Sequence, residues 1–153
     1  MSALSDLATQ IYDSELCFTE SAEERAAEIV LITAWLEAHL GELNTLINTN
    51  FELTDLSLIL QEEKSILREM YLLQYYRRQS RNVLRLVDGS QGELDFHTIR
   101  EGDSVITRTN KSEIAKNYRS LISHTQQKLD ALVHSYNMYA SKPGQISGDD
   151  APA

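Results

Sequence analysis

Apolar side chains recur along this chain at intervals of three and four residues, from near its beginning to about residue 140, with one lapse between residues 88 and 110. Leu4, Leu7 and Ile11 form the first such set and predict a short helix opened by Ser2 or Ser5. Ser21 and Glu24 then stand at capping-box spacing, in which the serine oxygen accepts an orphan backbone N–H and the glutamate reaches back to the cap. Beyond them Ala27, Val30, Leu31, Ala34, Trp35 and Ala38 keep the i, i+3, i+4 rhythm, so an N-terminal helix is predicted over about 22–40 with these residues as its apolar stripe. Glu23 and Glu24 sit where the helix dipole favours anions. Gly41 is placed to end or bend this helix, and "ELNTLINTNF" continues as a further short turn until Asn48 and Asn50 release the chain.

A long helix follows over about 55–87, capped by Thr54 or Asp55 and carrying Leu56, Ile59, Leu60, Ile66, Leu67, Met70, Tyr71, Leu73 and Leu84. Its apolar residues cover more than one face, which makes it a central helix with neighbours on two sides, or one whose outer face meets another subunit. The last helix is predicted over about 111–141. Asn110 and Glu113 repeat the capping-box spacing, and Ile114, Tyr118, Leu121, Ile122, Thr125, Leu129, Leu132, Val133, Tyr136 and Ala140 form a single stripe. Both prolines, Pro143 and Pro152, lie beyond it, so no ring breaks a helix earlier.

In the lapse, three glycines fall among "DGSQGELDFHTIREGDSVIT" and Ser104-Val105-Ile106-Thr107 is β-prone. The segment at about 95–108 reads as a hairpin-like loop turning near Gly102. The fold class is therefore all-α: a helical bundle with two long helices, an N-terminal helix and one short hairpin. Residues 1–141 form a single helical domain with a projecting loop at 88–108, and 142–153 form a flexible or partner-ordered tail.

Charge sharpens this picture. Residues 1–63 hold thirteen Asp or Glu and one basic residue, Arg25, whereas residues 64–142 hold thirteen Lys or Arg against eight acids. The net charge of −9 argues against nucleic-acid binding by the molecule as a whole. Arg77, Arg81 and Arg85 repeat at i, i+4, i+8 with Arg78 beside them; four arginines with no lysine favour fixed, bidentate pairing over mere solubility. Tyr71, Tyr75, Tyr76, Tyr118, Tyr136 and Tyr139 supply the amphipathic rings favoured at interfaces. No run of apolar residues reaches the length of a membrane span, and the acidic N-terminus lacks the basic start of a secretory signal. A soluble chain made in a cytoplasm is expected, and the single Cys17 fits a reducing compartment as a small, semi-buried side chain.

Catalytic chemistry finds no footing. The four histidines, His39, His97, His124 and His134, read as polar surface or boundary residues rather than ligands. His124 and His134 stand about 280° apart around a helix. Cys17 has no nearby histidine, the glycines are too scattered for a phosphate loop, and Glu62-Glu63 reads as solvation. No catalytic residue, cofactor or metal is assigned, and the chain is read as not an enzyme; a helical enzyme would require His97 and Glu101 to meet in a cleft.

The remaining features point to assembly. Head-to-tail packing would bring the acidic N-terminal helices of one copy to the arginine stripe of the next, a heterologous contact that closes into a ring when its rotation allows. The order of "LGELNTLINTNF", "EEKSILREMYLLQYY", "REGDSVITRTNKSEIAKNYRSL" and "YNMYASKP" resembles the head-tail connector (adaptor or neck) proteins of tailed bacteriophages. That resemblance implies a helical virion protein in a homo-oligomeric ring, usually a dodecamer, at the neck. The ring would bind the portal protein and the next neck or tail protein, with DNA passing through its lumen without sequence-specific contact, and would assemble in the host bacterial cytoplasm with no membrane involved. The interface residues expected on this reading are Tyr75, Tyr76, Arg77, Arg78, Arg81 and Arg85 on the long helix, Arg100, Glu101, Asp103, Val105, Ile106 and Arg108 in the loop, and Tyr139, Pro143 and Ile146 toward the tail. The alternative is a cellular helical adaptor or regulatory protein whose arginines dock an acidic partner or RNA.

Overall fold

The computed structural model describes residues 3–16, 21–56, 59–89, 98–101, 104–107 and 111–140. Helix α1, Ala3–Ile11, passes directly into one π-helical turn at Tyr12–Leu16. Leu4, Leu7, Ala8 and Ile11 are buried as the spacing predicts, and Tyr12 and Leu16 extend the same inward face. Ser5 lies inside α1, where its carbonyl accepts the Thr9 hydroxyl at 2.9 Å, so it is not the cap; Ser2 falls outside the described residues.

Helix α2 spans Ala22–Ala38 behind a complete capping box. The Ser21 N–H donates to Glu24 Oε2 at 2.9 Å and the Glu24 N–H donates to Ser21 Oγ at 3.3 Å. The bond from the Ser21 N–H first, then that from the Ser21 hydroxyl, which donates to the same oxygen at 3.0 Å, hold the exposed Glu24 carboxyl below its ordinary pKa. The face that α2 buries is not the expected one. Ile32 and Leu36 are fully buried with Ile29 and Trp35 partly so, while Val30 and Leu31 are 66% and 62% exposed, and Ala27, Ala34 and Ala38 also face solvent. The helix is apolar on two opposite sides, and periodicity cannot rank them. The side with Ile29, Ile32 and Leu36 removes more apolar area from water than one built on three alanines, and it is the side turned inward.

The helix breaks at His39, one residue before the predicted end. Its backbone N–H reaches the carbonyls of Trp35 and Glu37, its ring stacks on Trp35 with centroids 3.8 Å apart, and its Nδ1–H donates to the Trp35 carbonyl at 2.8 Å. Helix α3, Leu40–Ile47, follows at once and buries Leu40, Leu43 and Ile47. Gly41 therefore lies within a helix rather than ending one. Asn48 closes α3 in the left-handed region, φ 55°, a conformation asparagine tolerates better than most residues. The Asn44 side chain fastens the exit: its Nδ2–H donates to the Phe51 carbonyl at 2.9 Å while its Oδ1 accepts from the Phe51 N–H at 2.8 Å.

Helix α4 spans Gln61–Gly89, starting later than the predicted residue 55. Residues 52–55 form a turn in which the Asp55 N–H meets the Glu52 carbonyl at 3.1 Å. Leu56 and Ile59 then reach the core from a non-helical linker, so their burial mimics the helical spacing that extended the prediction. Helix α5, Lys111–Ala140, matches its predicted span.

The bundle is all-α, as the pattern predicts, and α4 is its axis. It pairs along its length with α5 and also touches α1, α2 and α3. Contacts of Glu63 with Tyr136, Glu69 with Lys128 and Arg77 with Gln126 set α4 and α5 antiparallel. Trp35 against Tyr71, with Glu28 beside Tyr75 and Arg78, sets α2 antiparallel to α4 as well. The core runs between them through Leu36, Leu43, Ile47, Ile66, Leu67 and Leu129.

Between α4 and α5 lie the strands β1, Thr98–Glu101, and β2, Ser104–Thr107. They pair antiparallel with Ile99 opposite Ile106 and Glu101 opposite Ser104, placing a hairpin where the helical period lapses. Among the described residues these strands pack on one another and on no helix. Gly102, Asp103, Arg108 and residues 141–153, including Pro143 and Ile146, lie outside the described residues.

The reassigned face of α2 gives a paired test. Leu36→Ala is expected to lower unfolding free energy by about 2–5 kcal/mol, as a buried leucine truncation does, whereas Val30→Ala should stay within about 0.5 kcal/mol, as surface changes do. Urea denaturation of both variants checks this, and equal losses would restore the other face as the buried one.

Candidate functional site

Charge reaches the surface unevenly because part of it is satisfied inside one chain. The π-helical turn offers Asp13 and Glu15. Arg25 of α2 binds Asp13 with its Nη2 2.9 Å from both carboxylate oxygens and its guanidinium 5.9 Å from the Tyr12 ring centroid, while Arg68 of α4 pairs with Glu15. The acidic half and the basic half thus meet within the monomer where α1, α2 and α4 converge. These pairs are partly exposed and fix orientation more than they add stability.

Two carboxylates run against expectation by being buried. Glu63, read from sequence as solvated, is 4% exposed and accepts the Tyr136 hydroxyl at 2.8 Å on one oxygen; its other oxygen meets no donor among the described residues. Glu69 is equally buried and receives the exposed Lys128 ammonium at 2.5 Å. Both lie on the α4–α5 seam. A buried carboxylate is costly unless paired, so each selects the register in which its partner on α5 arrives.

The arginine stripe divides. Arg77 donates to Gln126 of α5 at 3.1 Å and lines a cleft of about 460 Å³ between α2, α3, α4 and α5. Arg78 turns to the opposite wall of α4 and shares a cleft of about 300 Å³ with Glu28, Tyr71 and Tyr75. Arg81 is exposed, and the side chain of Arg85 is outside the described set. Tyr75 and Tyr76 are half-buried and in edge contact with centroids 5.7 Å apart, while Tyr139 is exposed on α5. The backbone of Arg100, Glu101, Val105 and Ile106 belongs to the hairpin.

The larger cleft gathers groups that sequence spacing did not connect. His39 from the α2–α3 break and His134 from α5 face it together with Glu42, Asp130 and Trp35. Among the described residues no group of three or more His, Cys, Asp or Glu is arranged to hold a metal ion. His97, needed for a cleft with Glu101, lies outside the described residues. Among the described residues, too, no helix is long and apolar enough to cross a membrane.

The surface that sequence reading placed inside is the outward stripe of α2. Ala27, Val30, Leu31, Ala34 and Ala38 align along it, and Glu23, Glu24, Glu28 and Glu37 flank it. The sole cation of α2, Arg25, is turned away onto Asp13. The stripe is thus apolar along its middle and anionic along its edges.

Burial, first, then the negative charge of Glu28 pushes the Tyr71 hydroxyl up to about 12. Burial, followed by the hydrogen bond to Glu63, does the same for Tyr136. The folded chain holds these protons more tightly than the unfolded chain does, so their contribution is complete below a pH of about 10 and is lost as pH rises toward the folded value. Ultraviolet titration is expected to show Tyr71 and Tyr136 ionising last, with the urea midpoint falling above that pH; tyrosines that all ionise together near 10 would refute the assignment. No family model, curated protein or solved structure matches the chain.

Proposed function

We propose that this chain is a structural subunit of a bacteriophage head-tail connector, assembling head to tail into a ring at the virion neck. The ring would contact the portal on one side and the next neck or tail protein on the other, with DNA passing through it. Twelve subunits is the number the family resemblance implies.

The observation that carries this reading is the outward stripe of α2. A helix that leaves Val30 and Leu31 in water while burying its other side has a second surface suited to a partner. Its acidic rim complements the basic half of the same sequence, which favours copy-to-copy contact and, because the two surfaces differ, a heterologous ring. The alternative, an arginine stripe that docks an acidic partner or RNA, has less behind it: Arg77 bonds to Gln126 and Arg78 shares its cleft with Glu28, so these two arginines do not share one open face.

Mixing the purified chain with the portal of its phage should add an annular layer in negative-stain images, and antibodies to the chain should label the necks of virions. A chain that adds no density and is absent from virions would overturn the proposal. Replacing residues 95–107 by a short glycine linker should leave helical circular dichroism intact and abolish ring assembly.

A further inference from the structure

Where α1, α2 and α4 converge, Arg25 binds Asp13 and Arg68 binds Glu15. Glu28 of α2 and Arg78 of α4 stand close by with opposite charge, yet among the described residues they form no ion pair. Instead they line one cleft of about 300 Å³ together with Tyr12, Tyr71, Tyr75 and Gln79. Burial is the first cause of the raised pKa of Tyr71 and of Tyr75, but Glu28 raises both values and Arg78 lowers both. An anion and a cation are thus set beside the same two hydroxyls. The rings of Tyr71 and Tyr75 rise from α4 one turn apart and stack with centroids 6.4 Å apart and planes 27° apart, which makes them one aromatic wall. With Tyr71 pushed up to about 12, that phenol is uncharged at neutral pH. The cleft is at the lower end of the size range of small-molecule sites.

We infer that this cleft binds a small zwitterion, an α-amino acid with an aromatic or long apolar side chain, its ammonium on Glu28, its carboxylate on Arg78 and its side chain against the Tyr71–Tyr75 wall. A ligand with a single charge satisfies one of the two groups and opposes the other. A molecule carrying both charges gives each a charge-assisted hydrogen bond. The planar guanidinium of Arg78 matches a carboxylate, and a tyrosine face attracts both a nearby ammonium and the edge of another ring. Because the cleft is walled by α2 and α4, a bound amino acid bridges these two helices, which no ion pair joins directly among the described residues. Its binding therefore stabilises the folded chain by mass action. The site is complete within one chain and goes beyond the assembly reading without depending on it.

Trp35 is the only tryptophan of the chain, and its ring meets that of Tyr71 edge-on with centroids 5.3 Å apart, so its emission reports on the cleft. Titrating the full chain with L-phenylalanine is expected to shift that emission saturably and to raise the melting temperature. Phenethylamine, which lacks the carboxylate, and N-acetyl-phenylalanine, which lacks the ammonium, should each bind about tenfold weaker or worse. Glu28→Gln and Arg78→Gln alter exposed side chains; both should keep their helical circular dichroism and weaken phenylalanine binding about tenfold or more. No saturable response up to the solubility of phenylalanine overturns the proposal. So does equal affinity for the two analogues that carry one charge, and so does binding that both variants leave unchanged, which would move the ligand to the cleft beside Trp35 and His39. Binding is measured on the free chain, so its failure leaves the neck assignment standing, and a chain absent from virions leaves the site standing.

Discussion

Helix α4 is buried on several sides at once, and the rest of the bundle is arranged to make that possible. Its apolar residues include Ile66, Leu67, Met70, Leu72 and Leu73, too wide a set for one neighbour to cover. Helix α5 takes one side, and α1, α2 and α3 share the remainder. Glu63 and Glu69 convert this greasy packing into a registered one. Apolar contacts between two long helices tolerate sliding, whereas a buried carboxylate that loses Tyr136 or Lys128 carries a desolvation cost with nothing to offset it.

The charge polarity of the sequence acquires two meanings in three dimensions. Asp13 and Glu15, in the π-helical turn, are consumed by Arg25 and Arg68, the first pair tying the turn to α2 and the second tying it to α4. The glutamates of α2 are left at the surface around apolar side chains. The asymmetry visible along the sequence therefore overstates the charge left unpaired at the surface.

Much of the fold was legible in the residues because local chemistry and tertiary packing agreed. Ser21 and Glu24 fix the start of α2, one unambiguous stripe defines α5, and glycines with β-branched residues mark the hairpin. The misreadings arise where two arrangements satisfy the same pattern. Helix α2 has apolar residues on opposite sides, and alanines count equally with isoleucines in a periodicity although they bury far less area. Leu56 and Ile59 have helical spacing but reach the core from a linker. The break at His39, where the ring stacks on Trp35, falls two residues before the Gly41 that marked it, and the chain resumes as helix at once. Glu63 differs from its exposed neighbour Glu62 only by the direction it faces, which depends on where Tyr136 arrives. The candidate interface was harder still to read, since the stripe expected to be the buried side of α2 faces outward.

The placement of the hairpin between α4 and α5 bears on how such a chain can evolve. Helices α4 and α5 are held by each other's side chains, and closing the connection from Gly89 to Lys111 costs entropy. That entropy changes slowly with length, by about 0.6 kcal/mol for each doubling. Strands β1 and β2, which among the described residues meet no helix, can therefore change with little cost to the helices. These strands are thereby freer to diverge than the bundle that carries them.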